Sequence, residues 1–200
     1  MKVLVVYAHP DPQSLVGSLR DIVLEELRAQ GHETRQHDLY AENFNPVMSG
    51  YERQNHSTEL EPKLDLIPEL RSHVEDLKWC EALVFVYPTW WSGQPAILKG
   101  WIDRTFVNEV AWELPPGANK IRPRLTNIRR LIVVTTHGSS KLVNSVQGEA
   151  GKRVAFRSVR LMMHWRTRTT WLALYGLDFR SSAYREKMKR RVRRKVRRVL

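Results

Sequence analysis

The residues of this chain that could do chemistry fall in three short loops, each placed just after an aliphatic run. The middle loop is the most legible. Ala82-Leu83-Val84-Phe85-Val86 feeds into Pro88, Thr89, Trp90, Trp91, Ser92 and Gly93, and a helix signal begins at Pro95, where a missing N–H costs nothing. Ile97, Leu98, Trp101, Ile102 and Phe106 then recur at helical spacing. A buried strand that ends in an aromatic loop and opens a helix is where open α/β sheets bind flat ligands. Two adjacent indoles in a Ser/Gly/Pro turn cannot both face one core. Trp90 and Trp91 therefore read as a platform for a planar ring rather than as the commoner aromatic core cluster.

The first loop follows Val3 to Tyr7 and contains His9 and Ser14. Ser14 opens a helix whose free N–H groups and dipole suit a phosphate, or it is a plain helix cap. His9 either contacts that anion or braces the turn. The third loop runs from Thr135 through Thr136, His137 and Gly138 to Ser140. Its hydroxyls and backbone donors could stabilise negative charge developing on a reduced ring, or it is an ordinary strand-end turn.

The elements that must position these loops alternate strand and helix. Val3 to Tyr7 is a strand, and Leu15, Leu19, Ile22, Val23 and Leu27 form a helical stripe ended by Gly31. His32 to Leu39 is a weak second strand and Pro68 to Lys78 a helix leading into the strand at 82–87. Leu131 to Thr135 and Trp171 to Tyr175 are further strands, with residues 141–164 helical between them and a terminal helix at 181–200. Residues 40–67 and 107–127 read as irregular excursions. The pattern predicts one α/β domain over residues 1–200: a doubly wound, flavodoxin-like, five-stranded parallel sheet of order 2-1-3-4-5 with helices on both faces. The three loops then follow strands 1, 3 and 4 and converge on one edge.

Several chemistries are excluded. The chain has no G-x-G-x-x-G, no P-loop and no G-x-S-x-G elbow, and its seven histidines lack metal-ligand spacing, so no metal is expected. The single cysteine, Cys80, allows no internal disulfide and suits a cytoplasmic protein. The opening apolar run ends at His9-Pro10, too short for a signal peptide or a membrane span. The net charge of +12 is uneven. Residues 1–118 carry 10 Lys and Arg against 18 Asp and Glu, residues 119–179 carry 12 against 2, and residues 180–200 carry 11 against 1. A mildly acidic front with a cationic back argues against a wholly basic nucleic-acid module.

With these residues on the page, a family resemblance follows. Tyr87 to Phe106, YPTWWSGQPAILKGWIDRTF, resembles the signature of the NAD(P)H:quinone oxidoreductases of flavodoxin-like fold, with Pro88, Trp91, Gly93, Pro95, Lys99, Gly100, Trp101, Asp103 and Phe106 in register. VLVVYAHPDPQSLVGSL resembles that family's first flavin loop and VVTTHGSS its third, so the likeness covers about residues 1–140. It implies hydride transfer from NAD(P)H through a bound flavin, FAD or alternatively FMN, to a quinone or similar small electrophilic acceptor. His9, Ser14, Leu15 and Val16 would then contact flavin phosphates. Pro88, Thr89, Trp90 and Trp91 would line the ring, with Thr135, Thr136, His137 and Gly138 on its other edge. The substrate pocket would comprise Trp91, Ser92, Trp112 and His137, and the assembly would be a homodimer with the site at its interface.

Three departures stand out. The family's third loop usually reads Thr-Thr-Gly-Gly, and His137 takes the first glycine's place. The tyrosine and histidine that assist hydride transfer in the family would fall near Val143 and Glu149, so no catalytic acid is assigned. Ser92 replaces a bulky aromatic, while Trp112 falls where a partner-subunit tyrosine often covers the site. The basic back half favours NADPH, whose 2′-phosphate seeks a cation.

The tail has two readings. Tyr184, Met188, Val192, Val196 and Leu200 recur every four residues on an otherwise cationic helix. The helix docks on the sheet with a solvated basic face, or it attaches a regulatory, flavin-binding subunit to an acidic partner or an anionic membrane surface. The second reading would place the protein peripherally at the inner face of the membrane. The tail lacks stacking aromatics, so nucleic acid is not expected as a partner.

Overall fold

Five strands pair into one parallel sheet, all but the polar β2 rich in β-branched and aliphatic residues: β1 (Lys2–Tyr7), β2 (Glu33–Asp38), β3 (Ala82–Pro88), β4 (Arg130–Thr136) and β5 (Arg168–Leu174). The structure, a computed structural model, describes residues 1–200 except for the side chain of Phe179. The order is β2-β1-β3-β4-β5, all parallel, as the alternation of elements predicts. Every residue of β3 is buried, because the strand is covered on both faces and so needs no polar alternation. β2, sequence ETRQHD, is an edge strand. Its polarity made it weak to read, and at the edge only His37 of the six is buried.

Two cores flank the sheet. On one face Val3, Val5, Val84, Val86 and Val134 meet helix α1 (Leu15–Ala29). On the other, Leu4, Val6, Phe85 and Val133 meet α2 (Arg71–Trp79) and α3 (Ala96–Thr105), with Trp101 of α3 fully buried. Gly100 has a local reason. A Cβ there would run into the Pro46 backbone, so the chain from Asn45 can cross α3 only over a glycine. After β4 come the short α4 (Lys141–Val146) and, at the end, α5 (Ser182–Val199). Among the described residues no helix is long and apolar enough to cross a membrane.

Three expectations need correction. Residues 40–67 are not irregular throughout. Gly50–Gln54 is a helix capped reciprocally by Ser49 and Glu52, Leu60–Leu66 is another, and Phe44, Leu60 and Leu64 join the core. Within 107–127, Trp112–Glu113 and Arg122–Pro123 pair as a small antiparallel ribbon. Residues 141–164 are not one helix. Gly148 at φ 84° and Glu149 at φ 46° turn the chain left-handed after α4, and short helical turns of changing pitch continue to Met162.

The tail is docked. Met188, Val192 and Val196 are buried against the α1-side core, so its apolar stripe is taken up by the sheet. A buried carboxylate completes the contact: Glu26 of α1, 2% exposed, accepts from Arg197 at 2.8 Å and Arg193 at 3.3 Å, while Glu25 accepts from Arg193 at 2.6 Å. The Arg197 hydrogen bond is the main reason that the Glu26 carboxyl titrates below its ordinary value, against the opposing effect of burial. Its contribution to stability is therefore full above the ordinary glutamate range and is lost as pH falls through the lowered folded value. We expect Glu26→Gln to lower unfolding free energy by about 1–2 kcal/mol at pH 7, both arginines keeping access to water. Urea melts should show that deficit shrinking as the pH falls below about 4.

Candidate functional site

Parallel pairing sets the three loops side by side. Tyr7 of β1 lies in register with Val86 of β3, and Tyr87 and Pro88 of β3 with Thr135 and Thr136 of β4. The chain leaves all three strands at one edge, and short bonds lock the loops there. The Thr89 N–H donates to the Thr136 carbonyl at 2.8 Å, and the Thr89 and Thr135 hydroxyls meet at 2.9 Å. His9 and Trp90 bring the first two loops together, with ring centroids 6.2 Å apart.

In the first loop Ser14 caps α1, accepting from Gly17 N–H at 3.1 Å. The side chain of Val16 is buried and that of Leu15 packs against the same core, so these two residues can offer a ligand only their backbone N–H groups. His9 braces the turn: its Nδ1 lies 3.0 Å from the N–H and 2.9 Å from the carbonyl of Asp11. Gly17 is required here, because a Cβ would collide with the Pro12 carbonyl.

The second loop is a two-residue hairpin. Trp90 and Gly93 exchange backbone bonds of 3.2 and 3.0 Å around Trp91 at φ 47° and Ser92 at φ 62°. Both central residues occupy the left-handed region, which asparagine and glycine fill readily and tryptophan does not. Trp91 is wholly exposed and Trp90 is 42% exposed, as the platform reading requires. The loop is fastened to the segment after α4. Gly151 N–H donates to the Ser92 carbonyl at 2.9 Å, Ser92 Oγ to Gln147 Oε1 at 2.9 Å and Gln94 Nε2 to the Gly151 carbonyl at 3.0 Å.

The second and third loops, with residues that follow them, wall a cleft of about 570 Å³, lined by Thr89, Trp91, Ser92, His137, Gly138, Ser139, Asn144, Gln147 and Asp178; His9, Ser14, Leu15, Val16 and Trp90 lie outside this lining. That volume suits a planar cofactor-sized ligand. Of the residues named from sequence, Thr89, Trp91, Ser92, His137 and Gly138 line it directly, and Pro88, Thr135 and Thr136 are buried behind it. Trp112 is elsewhere. Its Nε1 donates to the Phe106 carbonyl at 2.8 Å and its ring stacks on His56 at 5.5 Å. Asn144, Gln147 and Asp178 were not legible, since no motif marks them. Gly138 shows one trace, because a Cβ there would meet the Asp178 carboxylate. Of the two helper positions, Val143 is 43% exposed, and Glu149 accepts from Tyr175 at 3.0 Å and Lys152 at 2.9 Å. A second cleft, about 350 Å³, lies between β5 and α5 among Lys152, Trp171, Tyr175, Tyr184 and Arg191.

Two histidines that look scattered in sequence also meet. His37 and His73 stand 3.9 Å apart, with Glu42 3.1 Å from His37 Nδ1 and 3.7 Å from His73 Nε2. The three could gather round a metal ion by distance alone. Hydrogen bonding argues otherwise. Trp101 Nε1 can only donate, and it meets His73 Nδ1 at 3.1 Å, so the proton of neutral His73 sits on Nε2 and leaves that atom no lone pair for a cation. Burial, with the charges of His37 and Arg104, pushes His73 down to about 3 and keeps it neutral. The cluster is two packed imidazoles, one bonded to Trp101 and the other to Glu42. Cys80 is equally inert, since burial pushes its thiol up to about 12.

A family model described as flavodoxin-like fold matches residues 1–195. The ribosyldihydronicotinamide dehydrogenase-like protein traD of Penicillium crustosum is 32% identical over 155 residues, covering 69% of this chain and 58% of its own length. Thus the chain spans well short of the whole of that curated relative. A Streptococcus mutans structure superposes over all of both chains with TM-score 0.84 and 27% identity. The NAD(P)H:quinone oxidoreductase of Methanothermobacter marburgensis matches all of this chain and 96% of its own, with TM-score 0.79 and 25% identity.

The strain at Trp91 yields a prediction. Trp91→Asn removes no packing, since the indole is wholly exposed, and places a residue that tolerates the left-handed region. Thermal and urea melts should show a gain of about 0.5–1 kcal/mol. A loss of stability would mean that the indole is not held at a structural cost.

Proposed function

The chain belongs to the flavodoxin-like-fold family, and from that premise we propose that it is a flavin-dependent oxidoreductase passing hydride from NAD(P)H to a quinone or similar small electrophilic acceptor. One observation carries the reading: three loops from three strand ends emerge at one edge of the sheet, and two of them wall a cleft lined by an exposed, strained tryptophan. The names of the Penicillium relative and of the Methanothermobacter structure support the nicotinamide and quinone classes.

The residues present fit a flavin, either FMN or FAD. When bound, the flavin supplies the two-electron chemistry. The free N–H groups of Leu15 and Val16 at the start of α1 would hold its phosphate, aided by the helix dipole. Trp91 and Trp90 would cover the ring and keep water from it, and Thr89 would turn its hydroxyl toward the ring's polar edge. The Gly138 N–H would stabilise negative charge at that edge, the His137 N–H being given to the Leu174 carbonyl at 2.7 Å. Ser92, small where a larger group would crowd the mouth, leaves room for a flat acceptor over the same cleft.

A second copy of this chain would complete the enclosure. Leu142, Val143 and Val146 of α4 are 75%, 43% and 82% exposed beside the cleft, an apolar surface that a homodimer would bury. Trp112 reaches no part of its own chain's cleft, so its proposed role at the site would be played from the partner.

The test is reconstitution. Purified protein incubated with FMN or FAD and freed of excess should retain the visible flavin bands and oxidise NAD(P)H in the presence of a quinone. Trp91→Asn should weaken flavin binding roughly tenfold, equal to about 1.4 kcal/mol. Absence of flavin uptake together with absence of NAD(P)H oxidation would overturn the reading.

A further inference from the structure

His137 stands at the wall of the cleft, 5% exposed, and its proton can be placed from its neighbours. The Asn144 Nδ2 group faces the carbonyls of Ser140 at 2.8 Å and Ser139 at 3.4 Å, and Ser139 Oγ at 2.9 Å. Carbonyl oxygens only accept, so the amide orientation is fixed and Asn144 Oδ1 must be the atom 2.7 Å from His137 Nδ1. Nδ1 therefore donates. In the neutral ring the free lone pair is on Nε2, which lies 3.4 Å from the Thr89 hydroxyl; that hydroxyl in turn meets Thr135 Oγ1 at 2.9 Å.

The surroundings hold His137 below its ordinary value, so the ring rests neutral, with burial the largest cause. Burial lowers the affinity of His137 for a proton, while the Asn144 hydrogen bond and the Glu149 carboxylate raise it. The ring stacks on Tyr175 with centroids 4.5 Å apart, and Tyr175 donates to Glu149. The charged groups on this side are Glu149, neutralised by Lys152 at 2.9 Å, and Asp178 on the cleft wall. A new negative charge in the cleft would add to that of Asp178 and favour a proton on Nε2.

We propose that His137 holds a redox-linked proton: Nε2 gains it when a ring lying in the cleft acquires negative charge on reduction, and releases it on reoxidation. The proposal rests on the flavin reading above. The balance closes with the reactants named there. NAD(P)H delivers two electrons and one proton as hydride, Nε2 takes one further proton from water, and the acceptor leaves as a quinol carrying two electrons and both protons. His137 would thus do locally what neither Val143 nor Glu149 is placed to do. Asn144 is the positioning residue, because it fixes which nitrogen is free.

The experiment is ¹⁵N-histidine NMR of the flavin-loaded protein, oxidised and then reduced, with the pH dependence of its midpoint potential. At neutral pH the oxidised protein should show Nδ1 protonated and Nε2 bare, and reduction should protonate Nε2. The potential should fall with pH by one more proton per two electrons in the native protein than in His137→Gln, an added slope of about 30 mV per pH unit. Asn144→Asp, which offers Nδ1 a carboxylate and keeps the ring charged in both states, should lose the same increment. An Nε2–H tautomer in the oxidised protein, or equal slopes in native protein and Asn144→Asp, would overturn the proposal while leaving the flavin reading intact. Failure of the native protein to take up flavin would overturn both.

Discussion

Everything at the candidate site depends on the parallel, in-register pairing of β1, β3 and β4. Parallel strands send their carboxyl ends to one edge, so loops that are distant in sequence must emerge together. The pairing is secured by the two cores. Valines and leucines of these strands fill both faces, and a one-residue slip would move each side chain to the opposite core. Alternate pairings would thus cost the packing of both layers at once. The cleft's floor inherits its rigidity from that penalty, and the bonds between the loops add to it.

Given a fixed floor, the loops can bear local strain. Trp91 and Ser92 sit in left-handed backbone that neither residue favours, and the hairpin persists because Gln147 and Gly151 hold it from outside. The indole is left wholly exposed, where it contributes nothing to the fold. The third loop shows the complementary case. His137 is buried and its Nδ1 is bonded to Asn144, while the lone pair on its Nε2 faces the cleft's Thr89. Strain on one wall and an acceptor nitrogen on the other both border the same cleft.

How much of this was legible follows from the range of each interaction. The strands, α1, α3 and the three loops were readable because aliphatic runs, helical spacing and turn residues are local signals. The break after α4 was harder, since Gly148 was its single marker in a stretch with helical composition. Nothing in sequence ties His37 to His73, Glu26 to Arg197 or His137 to Tyr175, because their meeting is set by the order of the strands and by helix docking. The resemblance in the Tyr87–Phe106 stretch located the cleft. It also named Trp112, whose placement apart from the cleft follows from the ribbon that carries it.

The central claim is that the cleft at the ends of β1, β3 and β4 is where a flavin lies. A backbone and indole NMR titration with FMN tests it most directly. The largest shifts should fall on the amides of Leu15 and Val16, the Trp91 indole and the His137-Gly138 turn, three regions distant in sequence that the sheet brings to one edge. Shifts confined to the second cleft, around Tyr184 and Arg191 of α5, with all three loops unmoved, would contradict it.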